Sequence, residues 1–365
     1  MSALIESIGP DRMSRIQGLL GLLNERMAAI GGPSSYDRGL LTERAEITGL
    51  SYAGVESCNR SCRLLATLDG WIALNLARPC DWDALPALFH RHERFDSWEE
   101  VASAVRAATT LPLASMGRQL EVPIAAAVRL AHARAPQPRS APAQPMPARE
   151  PPACGGGLAR GRHRKRRRDG RGDWRGDPPL VVDLSTLWAG PLCGRLMRAA
   201  GARVIKVESI RRPDSLSSSA PEFFARLNGD KECVAFDLTR EAGIHHLRTL
   251  LGSADLVITS ARPRAFAQMG LEPGPLLEKH PGLVWLAITA YGWRGELANA
   301  VGFGDDVAAA AGLLSWSDGG PTFVADAIAD PLTGITAAIA AIDAIETARG
   351  GLMDVNLYAG ASRIA

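Results

Sequence analysis

The stretch V-V-D-L-S-T-L-W-A-G-P-L-C-G-R-L-M-R-A-A-G-A-R-V-I-K-V-E, residues 181–208, decides the fold. Residues 180–184 form an apolar run typical of a buried parallel strand, and a helical segment follows over residues 192–200. A second apolar strand is predicted over residues 203–207. Strand, helix and strand within about thirty residues form a βαβ unit. The stretch therefore predicts a parallel sheet covered by helices.

The same alternation continues towards the C-terminus. The further elements are strands at residues 233–236, 255–259 and 283–289, a helix at 239–251 that Thr239 would cap, and a helix at 273–280. Repeated βαβ units predict an α/β fold with a doubly wound, mostly parallel sheet and a Rossmann-like core. Ligands of such sheets bind beyond the carboxyl ends of the strands. The loops expected there span residues 185–191, 208–215, 260–264 and 291–295.

The first third of the chain predicts a smaller α+β domain, residues 1–134. A hairpin is expected around Asp69-Gly70, and helices and a strand should follow it. These elements span residues 81–89, 98–108, 111–120 and 122–125. Residues 135–178 are rich in Pro and Arg and are expected to be a disordered linker. The α/β core would then occupy residues 179–365.

Composition limits the class of protein. The chain has 365 residues, 46% of them hydrophobic, and a formal net charge of +2, so it can bury a sizeable core and its charge implies no particular partner. Its six cysteines have neither zinc-site nor disulfide-framework spacing, and no metal is expected. The basic run over residues 160–175 lacks an aromatic platform, which makes nucleic acid an unlikely partner. Without a leader or a bilayer-spanning apolar segment, we expect a cytoplasmic protein with no membrane partner.

A second stretch, residues 324–345, reads V-A-D-A-I-A-D-P-L-T-G-I-T-A-A-I-A-A-I-D-A-I. Isoleucines recur at helical spacing among alanines, so a buried helix is predicted after Pro331. Asp330 immediately precedes Pro331 and is predicted to be the N-cap. Asp330 could be a cap alone, or a carboxylate kept ionised by the helix dipole and able to attack an activated carbonyl. Spacing leaves both open, with Asp326 as a rival nucleophile.

A nicotinamide-dependent oxidoreductase is the first functional alternative, because the first βαβ unit ends at Glu208. The turn A-G-P-L-C-G supplies Gly190 and Gly194 but not the G-x-G-x-x-G pattern that cradles a pyrophosphate. The sequence therefore disfavours a dinucleotide-binding protein.

Residues 181–208 resemble the opening of the family III CoA-transferases, a group that includes formyl-CoA transferase, carnitine CoA-transferase and α-methylacyl-CoA racemase. Further motifs match this family in order. They are N-G-D-K-E-C-V-A-F-D-L (228–238), A-D-L-V-I-T-S-A-R-P-R-A-F-A-Q-M-G-L (254–271), A-I-T-A-Y-G (287–292) and A-D-P-L-T-G (329–334). The resemblance covers essentially all of residues 179–358.

The resemblance implies a transferase in which Asp330 attacks an acyl-CoA thioester. A mixed anhydride and then an aspartyl-CoA thioester would form, and CoA would pass to an acceptor carboxylic acid. Coenzyme A would enter as a substrate thioester, with no permanently bound cofactor, and the protein would be a homodimer. The residues expected near the thioester are Trp188 and Ala189, and those expected near the CoA phosphates are Lys206, Lys231 and Arg262.

Departures from the family pattern leave two alternatives open. Glu232 and Gln268 stand where arginines are frequent, and Trp188 stands where formyl-CoA transferases often have Gln. The missing arginines, together with the lack of the family's usual glycine-rich lid loop, leave open a non-catalytic CoA-binding relative. A racemase or isomerase is the other alternative, although residues 301–307 contain no His and only Asp305 and Asp306 could serve as bases.

The order of the halves also departs from the family. Residues 67–89, 98–106 and 117–126 resemble its smaller C-terminal domain but here precede the core, as in a circular permutation. The glycine run at residues 155–157 is the one candidate for the usual lid, and it fits a linker better.

Overall fold

The computed structural model describes residues 2–52, 54–130, 174 and 178–365. The strands are β1 Cys62–Ala66, β2 Trp71–Asn75, β3 Ile124–Ala126, β4 Leu180–Asp183, β5 Arg203–Ser209, β6 Glu232–Phe236, β7 Leu256–Thr259, β8 Val284–Thr289, β9 Leu314–Ser317, β10 Gly320–Phe323 and β11 Gly351–Asn356. The helices of the first half are α1 Ser2–Glu6, α2 Pro10–Ala29, α3 Glu43–Thr48, α4 Pro79–Leu88, α5 Trp98–Arg106 and α6 Thr110–Gln119, with a 3₁₀ turn at Arg38–Leu41. The remaining helices are α7 Ala189–Ala199, α8 Leu216–Ser219, α9 Pro221–Asn228, α10 Glu241–Leu251, α11 Pro263–Gln268, α12 Pro273–Lys279, α13 Gly304–Ala310, α14 Ala329–Glu346 and α15 Leu357–Ser362.

A six-stranded sheet forms the core. Its order is β6-β5-β4-β7-β8-β11, and every neighbouring pair is parallel. The first strand of this sheet in sequence, β4, lies in its middle, with β5 and β6 on one side of it. Strands β7, β8 and β11 follow on the other side, so the strand order reverses between β4 and β7. Helices bury apolar side chains against both faces. The predicted doubly wound α/β core is confirmed.

Some predicted boundaries are wrong for local reasons. Thr239 does not cap α10, because Arg240 precedes the helix and the Thr239 hydroxyl donates to the Asp237 carboxylate instead. Helix α7 begins at Ala189, earlier than the predicted residue 192. The β9–β10 hairpin was not predicted, although Leu314–Ser317 alternates apolar and polar residues and Asp318-Gly319 follows as a turn signal.

The smaller sheet has the antiparallel order β1-β2-β3, and Ala66 pairs with Trp71 across the predicted Asp69-Gly70 turn. Helices α4 to α6 close a separate hydrophobic cluster around it, between residues 65 and 124. Helix α2 instead buries Ile16, Leu23 and Met27 in the cluster of the large core. Helix α2 thus packs with the large core, and the domain bounds 1–134 stay a prediction.

The predicted linker lies outside the described residues, except for Trp174 and Pro178. Trp174 is buried and its indole Nε1 donates to Glu346 Oε1 at 2.8 Å. The chain is thus attached to the end of α14 shortly before the core begins. Of the helices described, none combines the length and apolarity that a membrane crossing requires.

Helix α14 is the buried helix that the isoleucine repeat predicted. It packs on α7, where a Cβ on Gly334 would lie only 2.7 Å from the Ala189 carbonyl oxygen. Ile335 and Ile342 are essentially inaccessible, and burying each contributes about 1.5–3 kcal/mol. Because α14 leads directly into the parallel strand β11, it runs antiparallel to the sheet. Its first turn therefore lies at the carboxyl edge, where ligands of such folds bind.

Candidate active site

Asp330 lies in the first turn of α14 at that carboxyl edge. The predicted N-cap role is wrong: the helix begins at Ala329, after Ile328, and Asp330 is its second residue. The Asp330 backbone N–H donates to the Ala327 carbonyl at 2.8 Å, and the helix starts two residues earlier than Pro331 suggested. Pro331 is tolerated as the third helical residue because the first N–H groups of a helix have no intrahelical acceptor.

Four carboxylates from α13, from α14 and from the loop before α14 meet around this turn. Asp305 and Asp306 come from α13, Asp326 comes from the loop before α14, and Asp330 is the fourth. Asp305 is 5% exposed, and Asp306 and Asp326 are fully buried. Asp330 alone among the four keeps partial exposure. As a whole residue, Asp330 is therefore the most accessible of the four aspartates, while its carboxyl oxygen Oδ2 lies against the backbone of Gly304.

Gly304 allows α13 to approach Asp330 closely. A Cβ at this glycine would lie 2.5 Å from Asp330 Oδ2 and 2.5 Å from the Ala327 carbonyl oxygen. Real side chains do not accept such distances, so the first residue of α13 must lack a side chain. The glycine packs the α13 backbone directly against the Asp330 carboxylate.

Arg44 supplies a positive charge to this acidic group. Its Nε donates to Asp326 Oδ2 at 2.7 Å and its Nη2 donates to Oδ1, so the pair is bidentate. The guanidinium carbon lies 5.0 Å from the ring centroid of Trp188. Asp326, the rival nucleophile of the sequence, is therefore buried and occupied by an ion pair.

Burial changes the acidity of the cluster. It raises the pKa of Asp330 to about 7; the Arg44 guanidinium opposes the rise, and the charges of Asp305 and Asp326 add to it. Burial likewise raises the pKa of Asp305 to about 7, again opposed by Arg44. The helix dipole does not keep Asp330 fully ionised, as the sequence had suggested. Near neutral pH both forms of its carboxyl group are populated.

Asp306 differs from the other three because it bonds to the small sheet. Its Oδ1 accepts from Asn75 Nδ2 at 3.2 Å and from the Phe303 N–H at 3.0 Å. Burial raises the pKa of Asp306 to about 8, against these hydrogen bonds. Among the described residues, neither Asp306 Oδ2 nor Asn75 Oδ1 has a hydrogen-bond partner. The raised pKa means that Asp306 lies beside the Asn75 amide as a neutral acid near neutral pH.

The loop that precedes Asp330 has an unusual backbone. Ala325 and Ala327 have φ angles of 54° and 42°, in the left-handed region that disfavours residues with a side chain. Two side chains outside the loop hold it. The Ala325 N–H donates to Ser7 Oγ at 2.9 Å, and the Ala327 N–H donates to Asp305 Oδ1 at 3.1 Å.

Trp188 and Ala189, expected near the thioester, lie at the start of α7 and are 1% and 5% exposed. The Trp188 ring packs edge-on against Phe223, with centroids 5.2 Å apart. Because Ala189 lies against Gly334, both residues are close to the first turns of α14. Their contact with a thioester remains a prediction.

Lys206 and Lys231, expected near phosphates, are buried and partnered within the chain. Lys231 donates to Asp183 Oδ2 at 2.8 Å, to the Pro191 carbonyl at 2.9 Å and to Asn228 Oδ1 at 2.8 Å, which uses all three of its protons. Lys206 donates to the Ser185 carbonyl and pairs with Glu208 Oε1 at 2.8 Å. Burial raises the pKa of Asp183, but Lys231 and Lys206 outweigh it and lower the net pKa. This geometry disfavours phosphate contacts for both lysines.

Arg262, the third residue expected near phosphate, is 27% exposed. Its Nη1 donates to Glu121 Oε2 at 3.0 Å and to the Asn299 carbonyl at 3.1 Å. Arg264 also donates to Glu121, and these two guanidinium groups lower the pKa of Glu121 to about 2. The cluster joins the small unit to the core, and its contact with CoA remains a prediction.

A surface groove of about 260 Å³ lies at the other end of the sheet. It is lined near the starts of β4, β5 and β6, and Arg198 and Arg203 face Asp230 and Glu232 there. None of the four carboxylates lines it. The candidate site at the carboxyl edge is therefore separate from this groove.

Sequence analysis missed Arg44 and Gly304. Arg44 lies in a short helix far from the core in sequence, and nothing in its spacing pointed to Asp330. Gly304 carried a usable signal, since a glycine opening a helix indicates close backbone approach. The acidic pair Asp305 and Asp306 was noticed, but only as a possible substitute for a histidine.

The profile of CoA-transferase family III matches residues 179–365, which are 187 of the 365 residues. The chain belongs to CoA-transferase family III. The predicted family is thus confirmed, and the match covers the α/β core with the Asp330 site.

Several family III relatives match part of this chain. The (R)-2-hydroxy-4-methylpentanoate CoA-transferase of Clostridioides difficile is 29% identical over 196 residues, 49% of this chain and 49% of that protein. The α-methylacyl-CoA racemase of Mus musculus is 30% identical over 135 residues, 37% and 33% of the two chains. A CaiB/BaiF family protein from Brucella suis has 28% identity and a TM-score of 0.47, covering 50% of this chain and 53% of that one. The chain spans about half the length of the curated relatives it matches.

Proposed function

We propose that this protein is a CoA-transferase that moves CoA from an acyl-CoA donor to a carboxylic acid, with Asp330 as the covalent nucleophile. The observation that carries the proposal is exposure: of four clustered carboxylates, Asp330 alone is partly accessible. Its position in the first turn of a buried helix at the carboxyl edge of the sheet supports the same assignment.

The proposed reaction begins with the ionised form of Asp330. A carboxylate oxygen attacks the thioester carbonyl carbon, the carbon–sulfur bond breaks, and CoA leaves as the thiolate. The thiolate then attacks the Asp330 carbonyl of the mixed anhydride, which releases the donor acid and leaves an aspartyl-CoA thioester. The acceptor carboxylate attacks this thioester, which forms a second mixed anhydride and frees the CoA thiolate. The thiolate then attacks the acceptor's carbonyl carbon in that anhydride, and the acceptor leaves as its CoA thioester. Asp330 ends as the free carboxylate.

A pKa near 7 suits this role. A carboxylate that burial has made more basic is a better nucleophile than one in water, while enough of it stays ionised at neutral pH. Burial also strengthens the electrostatic influence of neighbouring charges on the intermediate. Full ionisation, as an exposed helix cap would have, is not required.

Contacts with the CoA moiety form part of the proposal. Trp188 and Ala189 border the first turns of α14 and are proposed to lie beside the reacting thioester. Arg262 is the phosphate contact we retain, because it is partly exposed at the carboxyl edge. Lys206 and Lys231 are proposed to stabilise that edge through their buried ion pairs. We also propose a cytoplasmic homodimer, which sedimentation or light scattering would test.

A racemase or isomerase is the second candidate. The pair Asp305 and Asp330, each with a pKa raised to about 7, could hold one proton between them, as an acid and a base acting at an α-carbon require. The 5% exposure of Asp305 argues against direct contact with substrate. Exchange of the α-proton of an acyl-CoA with deuterium from solvent would distinguish this reaction from CoA transfer.

The deciding experiment traps the covalent intermediate. The full chain is incubated with a panel of acyl-CoA donors and hydroxylamine, and peptide mass spectrometry searches for a hydroxamate at Asp330. Asp343→Asn is the matched control, since Asp343 lies on the same helix with a half-exposed side chain. We expect modification of the wild type and of Asp343→Asn, and none at residue 330 of Asp330→Asn. CoA transfer that persists in Asp330→Asn would eliminate the mechanism.

A further inference from the structure

Arg44 reaches the Asp330 site from a part of the chain outside the family match. Helix α3 precedes the matched residues 179–365 by more than a hundred positions. The Arg44 side chain is only 13% exposed and lies between the Asp326 carboxylate and the Trp188 ring. A buried arginine destabilises the fold unless another group balances its positive charge. Here the bidentate ion pair with Asp326 balances it.

Helix α3 is itself fixed on the core by the residue next to Arg44. The Glu43 carboxylate accepts from Arg195 Nη1 and Nη2, both at 2.8 Å, and from Arg226 Nε at 3.3 Å. Arg195 belongs to α7 and Arg226 to α9. One face of α3 therefore anchors on two core helices, while Arg44 points at the loop before α14.

That loop controls where Asp330 lies. Asp326 stands between Ala325 and Ala327, the two residues with a left-handed backbone. The Ala327 carbonyl accepts the Asp330 N–H, so the conformation at Ala327 sets the start of α14. Alanines keep a left-handed backbone conformation only where the surrounding structure imposes it. The ion pair of Arg44 with Asp326 therefore restrains the backbone that presents Asp330.

We propose that Arg44 is a positioning residue of the Asp330 site, which holds the presenting loop through Asp326 and places a positive charge beside the nucleophile. The proposal rests on the assignment of Asp330 as nucleophile. It means that a segment outside the family match completes the reactive centre of this chain.

The charges that face Asp330 come from three elements. Arg44 on α3 is positive, whereas Asp305 on α13 and Asp326 in the loop are acidic. The Gly304 N–H of α13 also stabilises the ionised form. Arg44 is the cation among these groups, and it favours ionised Asp330 against burial and the two acids. Removing its charge should therefore make Asp330 harder to ionise, and removing the Asp326 charge should have the opposite effect.

The test measures the titration of Asp330 without relying on turnover. The full chain is labelled with ¹³C at the aspartate carboxyl carbon, and the signal that disappears in Asp330→Asn is assigned to Asp330. Arg44→Gln keeps a donor for Asp326 but loses the charge, and it should move the Asp330 midpoint upwards by at least about one pH unit. Asp326→Asn should move the midpoint downwards. Arg26→Gln is the matched control, since Arg26 pairs with Asp343 at the far end of the same helix.

The pH dependence of trapped adduct should follow the same midpoints in each variant. Midpoints that stay within about 0.3 unit of the wild type in both Arg44→Gln and Asp326→Asn would overturn the role of Arg44. If Arg44→Gln does not fold, the Asp330 midpoints of Asp326→Asn and of Arg44→Lys, which keeps the positive charge, are used to decide. An upward shift of the Asp330 midpoint in Asp326→Asn refutes the proposal. A wild type that titrates as expected but forms no adduct would refute the nucleophile alone. Adduct formation with unmoved midpoints would refute only the role of Arg44.

Discussion

Asp306 should make this protein less stable as the pH rises, and replacing it with asparagine should remove that effect. Burial raises the pKa of Asp306 to about 8, from an ordinary value of 3.8. Between these two values the folded chain holds a proton that the unfolded chain has lost. The stabilisation is therefore complete below the unfolded pKa and disappears as the pH rises through the folded pKa.

The size of the effect follows from the size of the shift. Each pH unit in this interval lowers the free energy of unfolding by about 1.4 kcal/mol. Ionisation of Asp306 should therefore lower it by roughly 3 kcal/mol between about pH 5 and about pH 7.5. Asp305 and Asp330, whose pKa values are raised to about 7, contribute in the same direction. Since a domain is stable by only about 5–15 kcal/mol, the loss is readily measured.

Asparagine preserves the shape of the pair while removing its titration. In Asp306→Asn the side-chain amide oxygen can still accept from Asn75 Nδ2. Urea unfolding of both proteins across this pH range should show a slope against pH that is shallower in the variant. Asp318→Asn in the exposed β9–β10 turn controls for the change in net charge. Equal slopes in Asp306→Asn and the wild type would mean that Asp306 is ionised when folded, and the reasoning would be wrong.

Two further substitutions test the packing of the site. Gly304→Ala would place a methyl group 2.5 Å from Asp330 Oδ2, so the amount of hydroxamate trapped at Asp330 should fall about 100-fold. Gly274→Ala is the control and should leave that amount unchanged, because no described atom lies within 4 Å of a Cβ there. Lys231→Met leaves Asp183 buried without its nearest ammonium group and should cost about 3–5 kcal/mol in urea unfolding. A cost below about 1 kcal/mol would show that the Lys231 pair is dispensable.

The sheet could be predicted because its signal is local. The run at residues 180–184 is apolar except for Asp183, and the spacing to residues 203–207 leaves room for one helix, so a parallel pair was predicted. The observed β4–β5 pairing confirms it. Ends of elements were less predictable, since the Thr239 hydroxyl donates to the Asp237 carboxylate and does not accept from an N–H of the helix that follows it.

The candidate site was predictable only in part. The isoleucine repeat and Pro331 located Asp330 near a helix start, because both signals are encoded within one helix. Its acidity depends instead on Arg44 and Asp305, which the fold brings from other elements. Burial at a single residue cannot be read from a local pattern, so an ionised cap was expected where the structure has a carboxyl group that titrates near neutrality.

The sheet has the strand order of dinucleotide-binding folds, yet its point of strand reversal is filled by the protein itself. A Cβ on Gly190 would lie 2.2 Å from Ser185 Oγ, and one on Gly194 would lie 2.6 Å from Asp183 Oδ2 and 2.9 Å from Lys231 Nζ. These two glycines therefore make room for buried side chains, whereas the glycines of a nucleotide fingerprint make room for a phosphate. With the crevice beyond β4 closed in this way, the accessible reactive group at the same edge is supplied by the first turn of α14. Under the proposed assignment of Asp330, the fold would keep the carboxyl edge as its place for chemistry and would use a carboxylate there in place of a phosphate-binding turn.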